Sequence, residues 1–583
     1  MLILFWVQIL MLNKIFFILS YSNLRINFYL FLSLFLAFSI AIFEAFFVGL
    51  FFFFISSLLD SQDFTKNSFV NSIINLFQIT DVTNIKSYLT FLLIVNIILL
   101  TVIRFLHLKL NTYLYYKINS NVSSYLYKNL LNTSFYFHLK NNSSTLISAI
   151  VIKSKSVGEV LFFLLNILKS VLMLPTVIGF TIWLSSYIQI FFIFFIFLIV
   201  FYLGFSLIKF RVNKLGRIIA AEQDKIFKNL QESFLSINLV IVHKIAKFFY
   251  KIFYSSFLDL RKSEARIVFL NHVPYIILQS VIFIIGIVFL FFQTTIASFI
   301  SIVPFLTMWF LAAQRILPNL NEIFSNYATI KSLEPSLNDI YKLMLQANLF
   351  FRFEINSKLE FNKFIEFKNV SYKHEDSKSV VFDQVNCLIK KNTFVGIFGN
   401  TGSGKSTAIN LICGLIIPSS GTISIDNNNL DQQQISSWQN HVSLVPQSPI
   451  LLDNSILLNI VLEIDKEKID FSRLNLILKL VLLDEFISLL PNRINTIIGE
   501  NGEKISGGQR QKIGIARALY RDTNILILDE ATNSLDEATE EKLLNNIKKL
   551  NNKTIIMVSH NSKSKIYCEQ VINVSKLKLI KEE

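Results

Sequence analysis

The stretch "FVGIFGNTGSGKSTAINLICGL", residues 394–415, decides the fold of the C-terminal half. "FVGIF" leads in as a buried strand, "STAINLICGL" leads out as a helix, and Gly399, Asn400, Thr401, Gly402, Ser403, Gly404, Lys405, Ser406 and Thr407 form the loop between them. The spacing G-x-x-x-x-G-K-[ST] has a physical reason in that setting. Its glycines let backbone N–H groups reach phosphate oxygens, Lys405 neutralises β and γ phosphates, and the Ser406 hydroxyl ligates Mg²⁺. Without the strand and helix the match would be weak. With them it points to a nucleoside triphosphate.

Working outward, short β-rich runs alternate with helical stretches from about residue 361, as in "FIEFKNVSY", "ILILDE" and "TIIMVSH". That alternation predicts an α/β domain with a largely parallel sheet, whose ligands gather at the carboxyl ends of the strands. "ILILDE" ends in Asp529 and Glu530: the first suits the Mg²⁺ shell, the second suits polarising an attacking water. "TIIMVSH" ends at His560, placed for the γ-phosphate, and Gln447 in "VSLVPQSPIL" follows another apolar run and offers its amide oxygen to the metal. Each of these taken singly is an ordinary strand end. In "GEKISGGQRQKIGIARAL", residues 502–519, Ser506, Gly507 and Gly508 precede a second helix and form another anion grip, about a hundred residues past the first.

The N-terminal half differs in kind. A mean hydropathy of +0.52 is too high for a soluble chain of this size. Six long apolar runs fall near 28–57, 87–112, 158–183, 187–209, 272–292 and 296–317, each close to the roughly 20 residues that cross a bilayer core. The net charge of +15 gathers in loops near 113–157 and 210–271, with Lys117, Lys128, Lys140, Lys153 and Lys155 in the first. Basic loops between apolar spans follow the positive-inside rule, which places these loops and both termini in the cytoplasm and argues against a nucleic-acid partner. Residues 1–27 read as an interfacial helix ahead of the first span, with Met11 as a second candidate start. Residues 321–360 read as a linker and 361–583 as the soluble domain. Three cysteines, Cys387, Cys413 and Cys568, show no metal-ligand or pairing pattern. The 58 Phe residues follow a chain-wide compositional bias and are given no ligand role.

Taken in order, these motifs resemble the nucleotide-binding domain of ATP-binding cassette (ABC) transporters. Tyr372 looks like the family's adenine-stacking residue, Gly399 to Thr407 its Walker A loop, and Gln447 its Q-loop. Ile505 to Gln509 resemble the signature, Asp529 and Glu530 the Walker B pair, Ser534 to Asp536 the D-loop, and His560 the switch histidine. Six spans with two long cytoplasmic loops before one cassette resemble an exporter-type half-transporter, with coupling helices near 137–147 and 231–243. The resemblance implies an α-helical membrane domain of six transmembrane helices (28–320) followed by an α/β P-loop NTPase domain with a helical subdomain. It also implies ATP and Mg²⁺ as cofactors. In that family two cassettes meet head to tail, so Ser506, Gly507, Gly508 and Gln509 complete a site whose phosphate loop belongs to a second chain. This answers why one chain carries two anion grips, and a homodimer is expected. Glu530 and His560 are the implied catalytic pair, Asp536 an implied nucleotide contact, and Ser406, Gln447 and Asp529 the implied metal ligands.

Short strings around Glu44, "FHLKNNSSTLI" and the signature most resemble the branch that flips lipid-linked oligosaccharides, so a glycolipid or other amphipathic substrate, membrane lipid and the inner membrane are the expected setting. A peptide, drug or lipid exporter and a non-transporting regulator are the alternatives. Arg104, Lys169 and Arg315 lie in or near apolar spans. They either line a cavity for an anionic head group such as a diphosphate or snorkel to the interface.

Overall fold

The computed structural model describes residues 13–20, 26–58, 82–184, 189–291, 296–349, 359–374, 380–575 and 578–582. Most of the expected interfacial helix, the connections at 185–188 and 292–295, and positions 350–358 of the expected linker lie outside them. The chain divides into two compact units, one of Met1–Thr133 with Lys140–Phe350 and the other of Ser134–Leu139 with Phe351–Glu583.

The first unit is helical. Its long helices are α1 (Asn27–Leu58), α2 (Val82–Leu131), α3 (Lys155–Leu184), α4 (Gln189–Leu235), α5 (Ala246–Phe291) and α6 (Ile296–Leu349). Among the described residues, Asn27–Leu58, Lys86–Leu131 and Ser143–Leu184 are long and apolar enough to cross a membrane. Of the last three runs, 189–209, 272–291 and 296–317 lie on α4, α5 and α6. An apolar run explains why a helix starts but not how far it goes. Once backbone hydrogen bonds are made internally, the polar stretches beyond the lipid continue the same helix, so α2 and α4 carry on well past their apolar parts and α6 reaches Leu349.

α1 packs against α2 and α3, closely enough that a Cβ on Gly49 would run into the Phe180 ring. Further along, Lys153 is buried between two carboxylates, donating to Asp224 Oδ2 and Asp339 Oδ2 at 2.7 Å each, which ties its short π-helical turn (Ala149–Lys153) to α4 and α6. Of the N-terminal segment, 13–20 is helical, buries Ile15 and Ile18, and donates from Lys14 Nζ to Asn338 Oδ1 of α6 at 2.6 Å. Short helices occupy Phe135–Lys140, Ser143–Ser148 and Ile237–Val242, at the two stretches expected to form coupling helices, and Ser134–Leu139 groups with the second unit.

The second unit holds two sheets. β1 (Phe364–Lys373), β2 (Val380–Lys390), β4 (Ser420–Ile425) and β5 (Asn428–Asn429) make an antiparallel sheet in the order β2-β1-β4-β5. β3 (Phe394–Phe398), β6 (Val442–Val445), β7 (Ile525–Asp529), β8 (Thr554–Val558), β9 (Gln570–Ser575) and β10 (Lys578–Glu582) make the other, in the order β10-β9-β3-β8-β7-β6. Strands β9 to β6 of that sheet are parallel and only β10 is antiparallel. β3 and β8 are buried at every position, which is why both read as unbroken apolar runs.

Trp438 is fully buried in the core of this unit, its Nε1 donating to Ile412 O at 2.6 Å and its ring edge-on to Phe361 at 5.7 Å. It holds the end of the helix that starts at Lys405, so Trp438→Ala is expected to destabilise this unit by about 3–5 kcal/mol through lost burial and a stranded carbonyl. Thermal unfolding of the full chain, followed by the near-ultraviolet signal, checks this. An unchanged midpoint would remove Trp438 from that role.

Candidate functional site

Strand register brings distant residues together. Ile397 of β3 and Asp529 of β7 both pair with Val558 of β8, and Val445 of β6 pairs with Leu528 of β7. The carboxyl ends of four strands are therefore level. The residues that follow them, Gly399, Gln447, Glu530 and His560, leave the sheet along one edge, where parallel sheets hold ligands.

Lys405 opens helix α7 (Lys405–Ile412) and is almost wholly buried. Its Nζ donates to Gly399 O at 2.8 Å and Asn400 O at 3.2 Å and lies 3.3 Å from His560 Nε2. Gly402 and Gly404 have φ of +78° and +108°, and a Cβ on Gly404 would come within 2.9 Å of Val381. Only glycine adopts this path without strain. Ser403 Oγ is buried with no hydrogen-bond partner among the described residues. An orphaned hydroxyl in a loop whose Gly399, Gly402 and Gly404 add no Cβ is what phosphate oxygens would fill. Ser406 is exposed on the first turn of α7, Thr401 is exposed in the loop, and Thr407 is buried in the helix.

Glu530 is the hub. Its Oε1 lies 2.7 Å from His560 Nε2, while its Oε2 accepts from Gln447 Nε2 at 2.7 Å and from Asn533 Nδ2 at 3.0 Å. Its backbone has φ of +50°, unusual for a side chain of this size, and its N–H is held by Val558 O at 3.1 Å. Burial raises the Asp529 carboxyl above its usual range, the Glu530 charge adds to this and Lys405 opposes it. Burial lowers the Lys405 ammonium, against the pull of Glu530 and Asp529. Two carboxylates thus face one cation, and a triphosphate entering here needs a divalent ion to be tolerated. Ser406, Asp529 and the free Oε1 of Gln447 are of the hard-oxygen kind that Mg²⁺ takes. Cys413 takes no part: burial pushes its thiol up to about 12.

Tyr372 pairs with Phe382, whose ring lies against Gly404, so Tyr372 stands beside the loop. Its ring meets His374 edge-on at 5.0 Å, and its hydroxyl lies 3.4 Å from His374 Nδ1. The second grip is built on helix α8 (Gly507–Tyr520), where Ser506 and Gln509 form a capping box. A Cβ on Gly508 would lie 3.1 Å from Leu535 and 3.2 Å from Ser534 O, and Ser534 N–H donates to Gln511 Oε1 at 2.9 Å. Asp536 caps the helix Glu537–Lys548, accepting from Thr539 N at 3.0 Å. Among the described residues no hydrogen bond or ion pair joins 505–509 to the loop 399–407. Sequence reading overlooked Asn533 and His374. The signal for Asn533 was its place three residues past Glu530, in a turn closed by Asn533 N–H on Glu530 O at 3.2 Å.

A family model described as ABC transporter matches residues 382–533. The chain is similar to the alpha-hemolysin translocation ATP-binding protein HlyB of Escherichia coli, at 36% identity over 227 residues, 38% of this chain and 31% of that protein. It is also similar to ABC transporter B family member 29, chloroplastic, of Arabidopsis thaliana, at 34% identity over 43% of this chain and 40% of that protein. The chain thus spans between about a third and two fifths of the length of these relatives. A solved bacterial Atm1-family ABC exporter with ATP bound shares the fold, with a TM-score of 0.75, 18% identity, and coverage of 96% of this chain and 95% of that one.

Proposed function

We propose that this chain, an ABC half-transporter of exporter type, hydrolyses ATP and uses the cycle to move a lipid-linked or amphipathic substrate out of the inner leaflet. The observation that carries the reading is the level strand edge at which Lys405, Gln447, Glu530 and His560 converge. Bound ATP with Mg²⁺ supplies the phosphoanhydride whose cleavage makes the cycle run one way. The Glu530 carboxylate takes the proton of the attacking water, held in line by Gln447 and Asn533. His560, touching both Lys405 and Glu530, senses the γ-phosphate. Lys405 and the loop N–H groups hold the phosphates, Tyr372 stacks on the base, and Ser506 to Gln509 of a second copy close over the nucleotide. Nucleotide binding then favours one arrangement of the membrane helices and hydrolysis the other.

The substrate class rests on the glycolipid-flippase resemblance of the short strings around Glu44, "FHLKNNSSTLI" and the signature. A second reading comes from relatives named for translocating alpha-hemolysin and leukotoxin. Those matches cover 38% and 37% of this chain, too little to span the helices that select a substrate. ATP turnover of the full chain in lipid nanodiscs, with and without a polyprenyl-diphosphate oligosaccharide, tests the choice. Stimulation of the wild type and none of Glu530→Gln is the expected result. Basal turnover that ignores the glycolipid would leave the ATPase standing and turn attention to polypeptide substrates.

A further inference from the structure

Glu44 lies near the middle of α1, fully buried, in a helix otherwise without charge. Arg104 of α2 reaches it through Nη2, and Arg315 of α6 brings Nε to 3.3 Å from Oε2 while its guanidinium lies 5.1 Å from the centre of the Phe47 ring. Lys169 belongs to a different pair: its Nζ donates to Glu322 Oε1 at 2.8 Å, and Ser170 Oγ donates to Oε2 at 2.8 Å. Lys169 is thereby neutralised, whereas two guanidiniums share a single carboxylate and leave one positive charge over. Among the described residues no second carboxylate reaches either arginine. Each guanidinium carries roughly five N–H donors in a fork that matches an oxyanion. The Arg104 and Arg315 side chains keep 45% and 30% of their surface exposed, so Glu44 seals neither, and both lie in or near apolar spans, where an unpaired charge is costly.

We infer that Glu44, Arg104 and Arg315 form a binding site for a phosphate-class oxyanion, with Glu44 the resident counter-ion that holds the site at a single positive charge. The inference deepens the transport reading, on which it rests, by giving the substrate an anionic group and by assigning its recognition to Arg104 and Arg315, not to Lys169. The three residues come from three helices, so the oxyanion binds only the arrangement that brings them together and favours that arrangement.

The test is native mass spectrometry of the full chain in a neutral detergent, titrated with oleoyl lysophosphatidic acid or with uncharged monooleoylglycerol. The anionic lipid is expected to be retained and the neutral one not. Arg315→Gln and Arg104→Gln each weaken retention by about tenfold, as expected for loss of one charge-assisted contact. Glu44→Gln strengthens it severalfold, because it removes a competitor for the same donors. The double variant Lys169→Met with Glu322→Gln removes a neutral pair and leaves retention unchanged. A purely structural cluster would move the Glu44 and arginine variants in the same direction. Equal retention of the two lipids, or an arginine effect matched by the Lys169/Glu322 double variant, overturns the inference even if Glu44→Gln fails to fold. Competition by millimolar inorganic phosphate assigns the site to a free oxyanion, and its failure to compete assigns it to a lipid head group. ATP turnover measured on the same samples keeps the outcomes apart, since loss of turnover with lipid selectivity intact would count against the transport reading alone.

Discussion

Glu530→Gln lowers ATP turnover by about 10²- to 10⁴-fold while leaving nucleotide affinity nearly unchanged. The amide has the shape of the carboxylate and keeps an oxygen for the donors that surround it, Gln447, Asn533 and His560. What it cannot do is accept the proton of an attacking water. In the proposed site phosphate binding would rest instead on Lys405, which is held by the carbonyls of Gly399 and Asn400 and not by a hydrogen bond to Glu530, and on the backbone of the loop. Removing a negative charge near the phosphates should, if anything, favour the nucleotide. The loss therefore falls on kcat, the pattern of an interaction made in the transition state. Phosphate release and equilibrium binding of a fluorescent ATP analogue, both on the full chain in nanodiscs, separate the two quantities. Retention of more than about a tenth of wild-type turnover would remove Glu530 from the role of base. Asn533→Ala, which frees one carboxylate oxygen from its donor, should cost less than Glu530→Gln and also act on kcat.

Residues near one another in sequence were legible, and residues paired across the fold were not. The run from Gly399 to Thr407 could be read because a strand, a loop of fixed length and a helix are all written locally. The α/β character of the second unit was legible for the same reason, since parallel strands buried on both faces are unbroken apolar runs. Asp529 and Glu530 drew notice only because they end such a run. Which side chains Glu530 touches depends on the pairing of β7 with β8 and of β6 with β7. A register shift of one residue would carry Gln447 and His560 to the other face. Asn533 is the exception: it lies three residues from Glu530 in a local turn, and it passed unnoticed because a polar residue in a turn reads as solvated.

The membrane charges show the limit from the other side. Arg104, Lys169 and Arg315 could be picked out as costly in an apolar span, yet they looked alike. Their partners separate them, and those partners lie far off: Glu322 is 153 residues from Lys169, and Glu44 sits on a different helix from either arginine. A lone carboxylate in an apolar run gives no indication of which cation it meets, because helix packing decides that. Sequence reading could therefore raise an anion site but could not drop Lys169 from it.

Two inactive variants mixed in one membrane should restore activity, and this follows from where the two anion grips lie. Lys405→Met removes the cation under the phosphates. Gly508→Asp puts a carboxylate at the N-terminus of α8, where Gly508 already packs against Leu535 and Ser534, and sets a negative charge against the phosphates that helix end would meet. Each variant alone should have almost no turnover. In the two-fold dimer proposed above, each nucleotide would lie between the phosphate loop of one chain and the signature of the other. A mixed dimer then has one site with both lesions and one with neither. Random assembly makes about half the dimers mixed, each with one of its two sites whole, so turnover should recover to about a quarter of wild type if the sites act independently. Coupling between the sites lowers that figure but does not abolish it. Sites completed within a single chain predict no recovery at any mixing ratio, because every chain carries a lesion. Co-expression with two different affinity tags, sequential purification of the mixed dimer, in which the expected recovery rises to about half of wild type, and phosphate release decide between these outcomes. The same purification reports whether two copies of this chain associate at all.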